Sequence, residues 1–413
     1  MQQHQINQMG FIYSSARVTI IAAVGTDAAS GLPGVVCDLK TPEFCAVTDR
    51  LRLVNTESTP HEQIVKSPWY SRAWTFQEGY LSRRRMFFLE FGVHYICDRR
   101  PDTLRPYTAI AASIPWSTEI TRRVGGMMRE YTRRQLTYDS DALRAIVGAL
   151  GTLEGTDHIW GVTLARGENI QSFQVPEIEI ALDWKHLSPC PRREAFPSWS
   201  PLGWQGSVDH FAFLPTVSSA CSLEVWHDDE FKRPSEAFGK LSENHTLVSE
   251  NSKFLRLTTT LLMLDFDFEH VDGPGYRAGF YARIPYSQEL DLFVQPFWDI
   301  DYTVEPTLME GKTRLPCIVV LRCQEKTQPK RLAGKRKQLF EDRTMILILQ
   351  HHGTHYERIG YFRMQNHRTG SVFARDKQGM HVGLTFPYDA DLRKYDDGTF
   401  WMKNGVKTTF LLG

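Results

Sequence analysis

Ser67-Pro-Trp-Tyr-Ser-Arg-Ala-Trp-Thr-Phe-Gln-Glu-Gly-Tyr-Leu-Ser-Arg-Arg-Arg-Met-Phe-Phe-Leu89 is the stretch that decides the fold. Ser67 before Pro68 is a helix opening: a hydroxyl that accepts from a free backbone N–H, then a ring already set at the helical φ. The spacing predicts a helix from Pro68 toward Arg83, Arg84 and Arg85, whose cations suit the negative end of a helix dipole. Met86–Leu89 then reads as a strand, and Val93–Cys97 as the next. Upstream, Asn7–Ala16 reads as the end of a helix. It runs into Val18-Thr-Ile-Ile-Ala-Ala-Val24, a β-branched run of the kind buried on both faces of a parallel sheet. Strand, helix and strand in that order predict an α/β segment over residues 1–105. Gly31-Leu-Pro-Gly34 is expected as a turn, being too short and too constrained by Pro33 for a phosphate cradle.

Residues 106–210 read as a helical and Trp-rich connector. Asp139-Ser140 caps a segment with Leu143, Ile146, Val147 and Leu150 at helical spacing. Trp160, Trp184, Trp199 and Trp204 follow among Pro and Gly. An indole buries a large area and needs one hydrogen-bond partner, so these are expected to tie loops down. From residue 211 to 413 the period changes. Cys221–Trp226, Phe254–Phe268, Gly279–Tyr286, Leu292–Trp298, Pro316–Cys323, Met345–Gln350, Tyr356–Met364 and Phe400–Leu412 are short β-type runs between turn signals. They predict a mainly antiparallel β-domain, making the whole chain α+β. No repeat period is evident, which argues against a propeller or solenoid.

The chain has 413 residues, 42 % of them hydrophobic, and its 48 Lys plus Arg balance 48 Asp plus Glu. Such a chain can build packed cores, and it has no net field steering it to nucleic acid or an anionic membrane. No uncharged apolar run is long enough to span a bilayer, and the polar start lacks the plan of a secretory leader. A cytoplasmic protein is expected. The seven cysteines form no Cys-x-x-Cys pair, so reduced thiols are expected and a zinc site is not.

Four polar patterns remain. His351-His-Gly-Thr-His355 has no metal-ligand spacing and reads as a hairpin turn. Asp265, Asp267 and Glu269 alternate with apolar residues as the solvated face of a strand. Lys326, Lys330, Arg331, Lys335, Arg336 and Lys337 read as a basic loop between strands, with nuclear import as its alternative meaning. Asn244-His-Thr246 is a glycosylation sequon without meaning in a cytosolic chain.

One resemblance adds to this reading. Ile12–Ala16, Thr19–Ala22, Gly31–Gly34, Trp69-Tyr-Ser-Arg-Ala-Trp-Thr-Phe-Gln-Glu78 and Leu81-Ser-Arg-Arg84 together resemble the fungal heterokaryon-incompatibility domain family. Tyr131–Leu143, Trp160-Gly161 and Phe196–Trp204 look like segments that follow this domain in longer members, and Tyr356–Gly360 matches more loosely. The strand motifs that open the domain are absent, so the chain resembles its C-terminal half plus its tail. The implied fold is part of a TIR-like parallel sheet whose Val18–Val24 edge lacks partners, a liability that favours protein partners or self-association. The implied role is a non-self recognition response leading to cell death, non-catalytic in this form. The alternative is an NAD-hydrolysing effector using Glu78, with Trp74 and Arg72 as binding residues. NAD would then be the substrate, and no resident cofactor or metal is expected.

Trp74, Glu78 and Leu81 fall at i, i+4 and i+7, which sets the carboxylate beside an indole on one helix face. A carboxylate there could hold ribose hydroxyls, or stabilise the positive charge that develops as nicotinamide leaves. The residues alone equally allow Glu78 to accept a hydrogen bond from Trp74, Arg72 or a backbone group and fix the helix.

Overall fold

Thr19–Ala22 (β1) lies parallel to Arg84–Leu89 (β2), and Gly92–Cys97 (β3) returns antiparallel beside it, giving the sheet order β1-β2-β3. The computed structural model describes residues 2–27, 29–39, 45–47, 52–54, 59–97, 120–153, 156–165, 182–210, 217–238, 246–247, 251–269, 279–285, 290–299, 312–326, 330–332, 335–337, 340–365, 372–382 and 404–413. The chain divides into two compact units, Met1–Glu154 and Gly155–Gly413. Of the stretch read as a connector, the helices before residue 154 belong to the first unit and the tryptophans to the second.

In the first unit, α1 (Gln2–Ser15) leads into β1, and α2 (Pro60–Lys66), α3 (Pro68–Ser71) and α4 (Thr75–Leu81) connect β1 to β2. Two further helices, α5 (Ile120–Thr132) and α6 (Val147–Leu150), follow β3. Thr59 opens α2 with a capping box closed by Glu62. Ser67 opens α3 by accepting from Tyr70 N–H.

The single helix expected from Pro68 does not form. At Arg72 the backbone turns extended, and the chain bonds to residue 135 instead: Gln135 N–H donates to Ser71 O and Ala73 N–H to Gln135 O. Helix resumes at Thr75 and stops before Arg83. Arg85 therefore lies in β2, yet its guanidinium still reaches back to Gly79 O of α4 at 2.5 Å.

Ile64, Trp69 and Tyr70 from α2 and α3 pack on Ile21, Ala23, Phe87, Leu89 and Ile96. This covers one sheet face. Pairing register puts Ile20, Met86 and Tyr95 together on the other, next to Ala22, Phe88 and Val93. There Ile20 is 60 %, Val93 52 % and Tyr95 48 % exposed. The expectation that Val18–Val24 is buried on both faces is thus corrected: β1 alternates, because helices cover only one side. Among the described residues β1 pairs with β2 alone. Gly31 and Gly34 both take positive φ in the expected turn, closed by Gly34 N–H to Cys37 O.

The second unit is built on long strands. Leu255–Glu269 (β4) pairs through its first half with Val406–Leu412 (β10) and through its second with Gly279–Pro285 (β5) and Lys312–Lys326 (β6). β6 pairs with Phe340–His352 (β8), β8 with His355–Gln365 (β9), and β9 touches β10 at Tyr356 and Leu412. The pairings β4-β6-β8-β9-β10 thereby close into a ring. Strand β5 continues the sheet through Leu290–Val294 to Val372–Asp376. The core carries Leu264, Phe266, Ile284, Val294, Cys317, Ile346, Ile348 and Phe362, alternate residues of facing strands.

Among the described residues beyond 211, strand dominates, with Pro234–Phe238 and Asn251–Lys253 as the helical pieces. Part of the expected basic loop is also strand: Lys330–Leu332 pairs with Lys335–Lys337 (together β7, a two-stranded ribbon). Asn244 and residues 400–403 lie outside the described residues.

Candidate functional site

Glu78 sits on α4, and its carboxylate is engaged from two other helices. Trp69 Nε1–H of α3 donates to it at 2.9 Å. The Tyr13 hydroxyl of α1 also bonds to it; half-burial and the Glu78 charge push the Tyr13 phenol up to about 12. Trp74 and Arg72 do not take part. Trp74 precedes α4 without capping it and sends its Nε1–H to Asp141 Oδ2 at 3.3 Å, while Arg72 contributes backbone carbonyl oxygen to Thr75 Oγ1 and to Arg134.

Gln77, the neighbour of Glu78, is fully buried and donates to Arg144 O at 3.1 Å. Its Oε1 lies where α1 and α6 approach through Gly10 and Gly148. A Cβ on Gly148 would stand 2.1 Å from that oxygen and 3.0 Å from Gly10 Cα. Gly148→Ala is therefore expected to cost about 1–3 kcal/mol by overpacking, read as a lower unfolding midpoint of the first unit in urea. An unchanged midpoint would show that α1 moves away freely.

Arg134 closes the group from behind. Its guanidinium stacks on Tyr70 (4.4 Å) and Phe76 (5.2 Å) and donates to Thr75 Oγ1, and Tyr70 OH bonds to Glu130. Three residues of the Trp74–Glu78 block thus reach different parts of the unit: Trp74 the 139–141 turn, Gln77 the Arg144 carbonyl, Glu78 helices α1 and α3. Sequence reasoning missed Trp69, Tyr13 and Arg134 as partners. The signal for Trp69 was its place nine residues before Glu78, across a helix break that the spacing hid.

Residues 1–78 match the family model described as Heterokaryon incompatibility protein (HET). The HET match takes in α1, β1, α2, α3 and the start of α4, and it ends on Glu78 itself. The clamps of Tyr13 and Trp69 on Glu78 therefore lie wholly inside the matched residues, whereas Asp141, Arg144 and Gly148 lie beyond them. Curated proteins and solved structures gave no match.

The second unit holds a separate buried polar group. His186 Nδ1 contacts Asp299 Oδ1 at 2.8 Å, and Arg358 Nε–H donates to Asp299 Oδ2 at 2.7 Å, with all three side chains fully buried. Burial raises the Asp299 carboxyl, but Arg358 and His186 outweigh it and hold the group below the usual carboxylate range. Cys190 lies beside this group, its thiol pushed up to about 12 by burial and by the Asp299 charge, so it is no activated nucleophile.

The four tryptophans are buried here, each indole N–H satisfied: Trp160 by Ser252 Oγ, Trp184 by Trp199 O, Trp199 by Lys253 O and Trp204 by Ser198 O. Trp160 also holds φ at +50°, a strained value for an aromatic residue, at a hairpin turn with Gly161.

The remaining polar patterns settle as follows. His351–His355 forms the β8–β9 turn, and among the described residues no group of three His, Cys, Asp or Glu is arranged to hold a metal. The acidic strand face, expected to be solvated, is so at Asp265 but not at Asp267 and Glu269. Arg375, from the far side of β5 and the Leu290–Val294 strand, grips Glu269 through two bonds, Arg314 on the adjacent β6 approaches the half-exposed Asp265 at 3.7 Å, and Asp267 is almost buried. Among the described residues no helix is long and apolar enough to cross a membrane.

Proposed function

We propose that this chain serves in fungal heterokaryon incompatibility, as a non-catalytic interaction component of the non-self recognition response. The observation that carries this reading is the state of Glu78: its carboxylate is committed to Trp69 Nε1 at 2.9 Å and to Tyr13, which ties three helices together. A catalytic carboxylate must instead face the reacting atoms with its other partners placed round them. The half-open sheet supports the interaction role. Ile20 of β1 and Val93 and Tyr95 of β3 are exposed on one face of a sheet whose β1 edge has no strand partner among the described residues, a surface that favours association with another protein.

The test is direct. Purified protein incubated with NAD is expected to release no nicotinamide, and Glu78→Gln is expected to cost about 1–3 kcal/mol of stability with no activity to lose. Gln keeps the size of Glu and one carbonyl acceptor, so the loss measures the charge on the Trp69 and Tyr13 bonds. Nicotinamide release by the parent chain that disappears in Glu78→Gln, with the fold intact, would replace this reading with the NAD-hydrolysing one. In that case the carboxylate would be supplying several kcal/mol of barrier lowering, about a thousandfold in rate.

A further inference from the structure

We draw no further inference here: the strongest candidate, the sheet face of the first unit on which Ile20 of β1 and Val93 and Tyr95 of β3 are exposed, carries none, because it already supports the proposed interaction role and nothing in the structure shows what covers it.

Discussion

Arg358→Met is expected to destabilise the second unit by about 3–5 kcal/mol, the largest effect of any single substitution considered. The guanidinium is fully buried and all its work is local. Nε–H donates to Asp299 Oδ2, Nη1–H to Leu182 O at 3.1 Å and Nη2–H to Trp184 O at 2.6 Å, and the plane lies 3.4 Å from the centre of the Trp184 ring. Met fills much of the volume but donates nothing. Asp299 would keep a buried charge facing only His186, and the Leu182 and Trp184 carbonyl groups would each lose the arginine's bond, Leu182 O keeping Trp184 N–H. Asp299→Asn, which also removes charge, should cost less than Arg358→Met, because the amide still fills the site and no carboxylate is stranded. Lys232→Ala sets the scale from the other side. Its ion pairs with Asp228 and Glu230 sit at the surface, and its removal should leave the urea midpoint unchanged within error. Urea unfolding followed by tryptophan fluorescence measures all three, since Trp184, Trp199 and Trp204 surround the arginine's neighbours. A cost below about 1 kcal/mol for Arg358→Met would mean that water or a rearranged side chain takes over the carboxylate.

How far the sequence reached can be seen at particular residues. The strands of the second unit were legible because their alternation is local: Leu264, Phe266 and Phe268 announce β4 without reference to any partner. Ser67 and Pro68 gave the start of α3 for the same reason. What stayed hidden depends on contacts far along the chain. The break at Arg72 is made by Gln135, and the indole that reaches Glu78 comes from across that break. Nothing in the spacing of Trp74 and Glu78 distinguishes a shared helix face from two separate clamps. The His186–Asp299–Arg358 group was equally invisible, because its members are 113 and 59 positions apart and each is ordinary alone. The acidic strand face misled in the opposite direction. Period-2 acids usually face water, and only the fold, with Arg314 on the adjacent strand and Arg375 from a strand farther along the sheet, reveals the partners of Asp265 and Glu269. The HET resemblance rested on rare residues in fixed order, and the structure gives three of them, Trp69, Gln77 and Glu78, buried or bonded positions that explain why such residue types stand there.

Acidification is expected to weaken the second unit through His158, independently of Arg358. His158 lies on the Thr156–Ile159 strand, 6 % exposed, in register with Thr246 on one side and Thr163 on the other. Burial pushes its pKa down from 6.5 to about 4, and the nearby Asp157 charge only partly opposes this. In the unfolded chain the ring titrates at its ordinary value, so between about pH 6.5 and pH 4 the unfolded state binds the extra proton and the folded state refuses it. Stability therefore falls as pH falls through that window and is fully present above it. Since one unit of pKa difference corresponds to about 1.4 kcal/mol, the loss on reaching pH 4 is about 3 kcal/mol. Other groups titrate in the same range, above all the carboxylates, so the parent curve alone does not isolate the histidine. His158→Gln does. Its amide cannot be protonated there, so the difference between variant and parent should shrink by about 3 kcal/mol on going from neutral pH to about pH 4, whatever the substitution costs at neutrality. A difference that stays constant with pH would show that the His158 ring is protonated as readily in the folded strand as in the unfolded chain, and that water reaches it there.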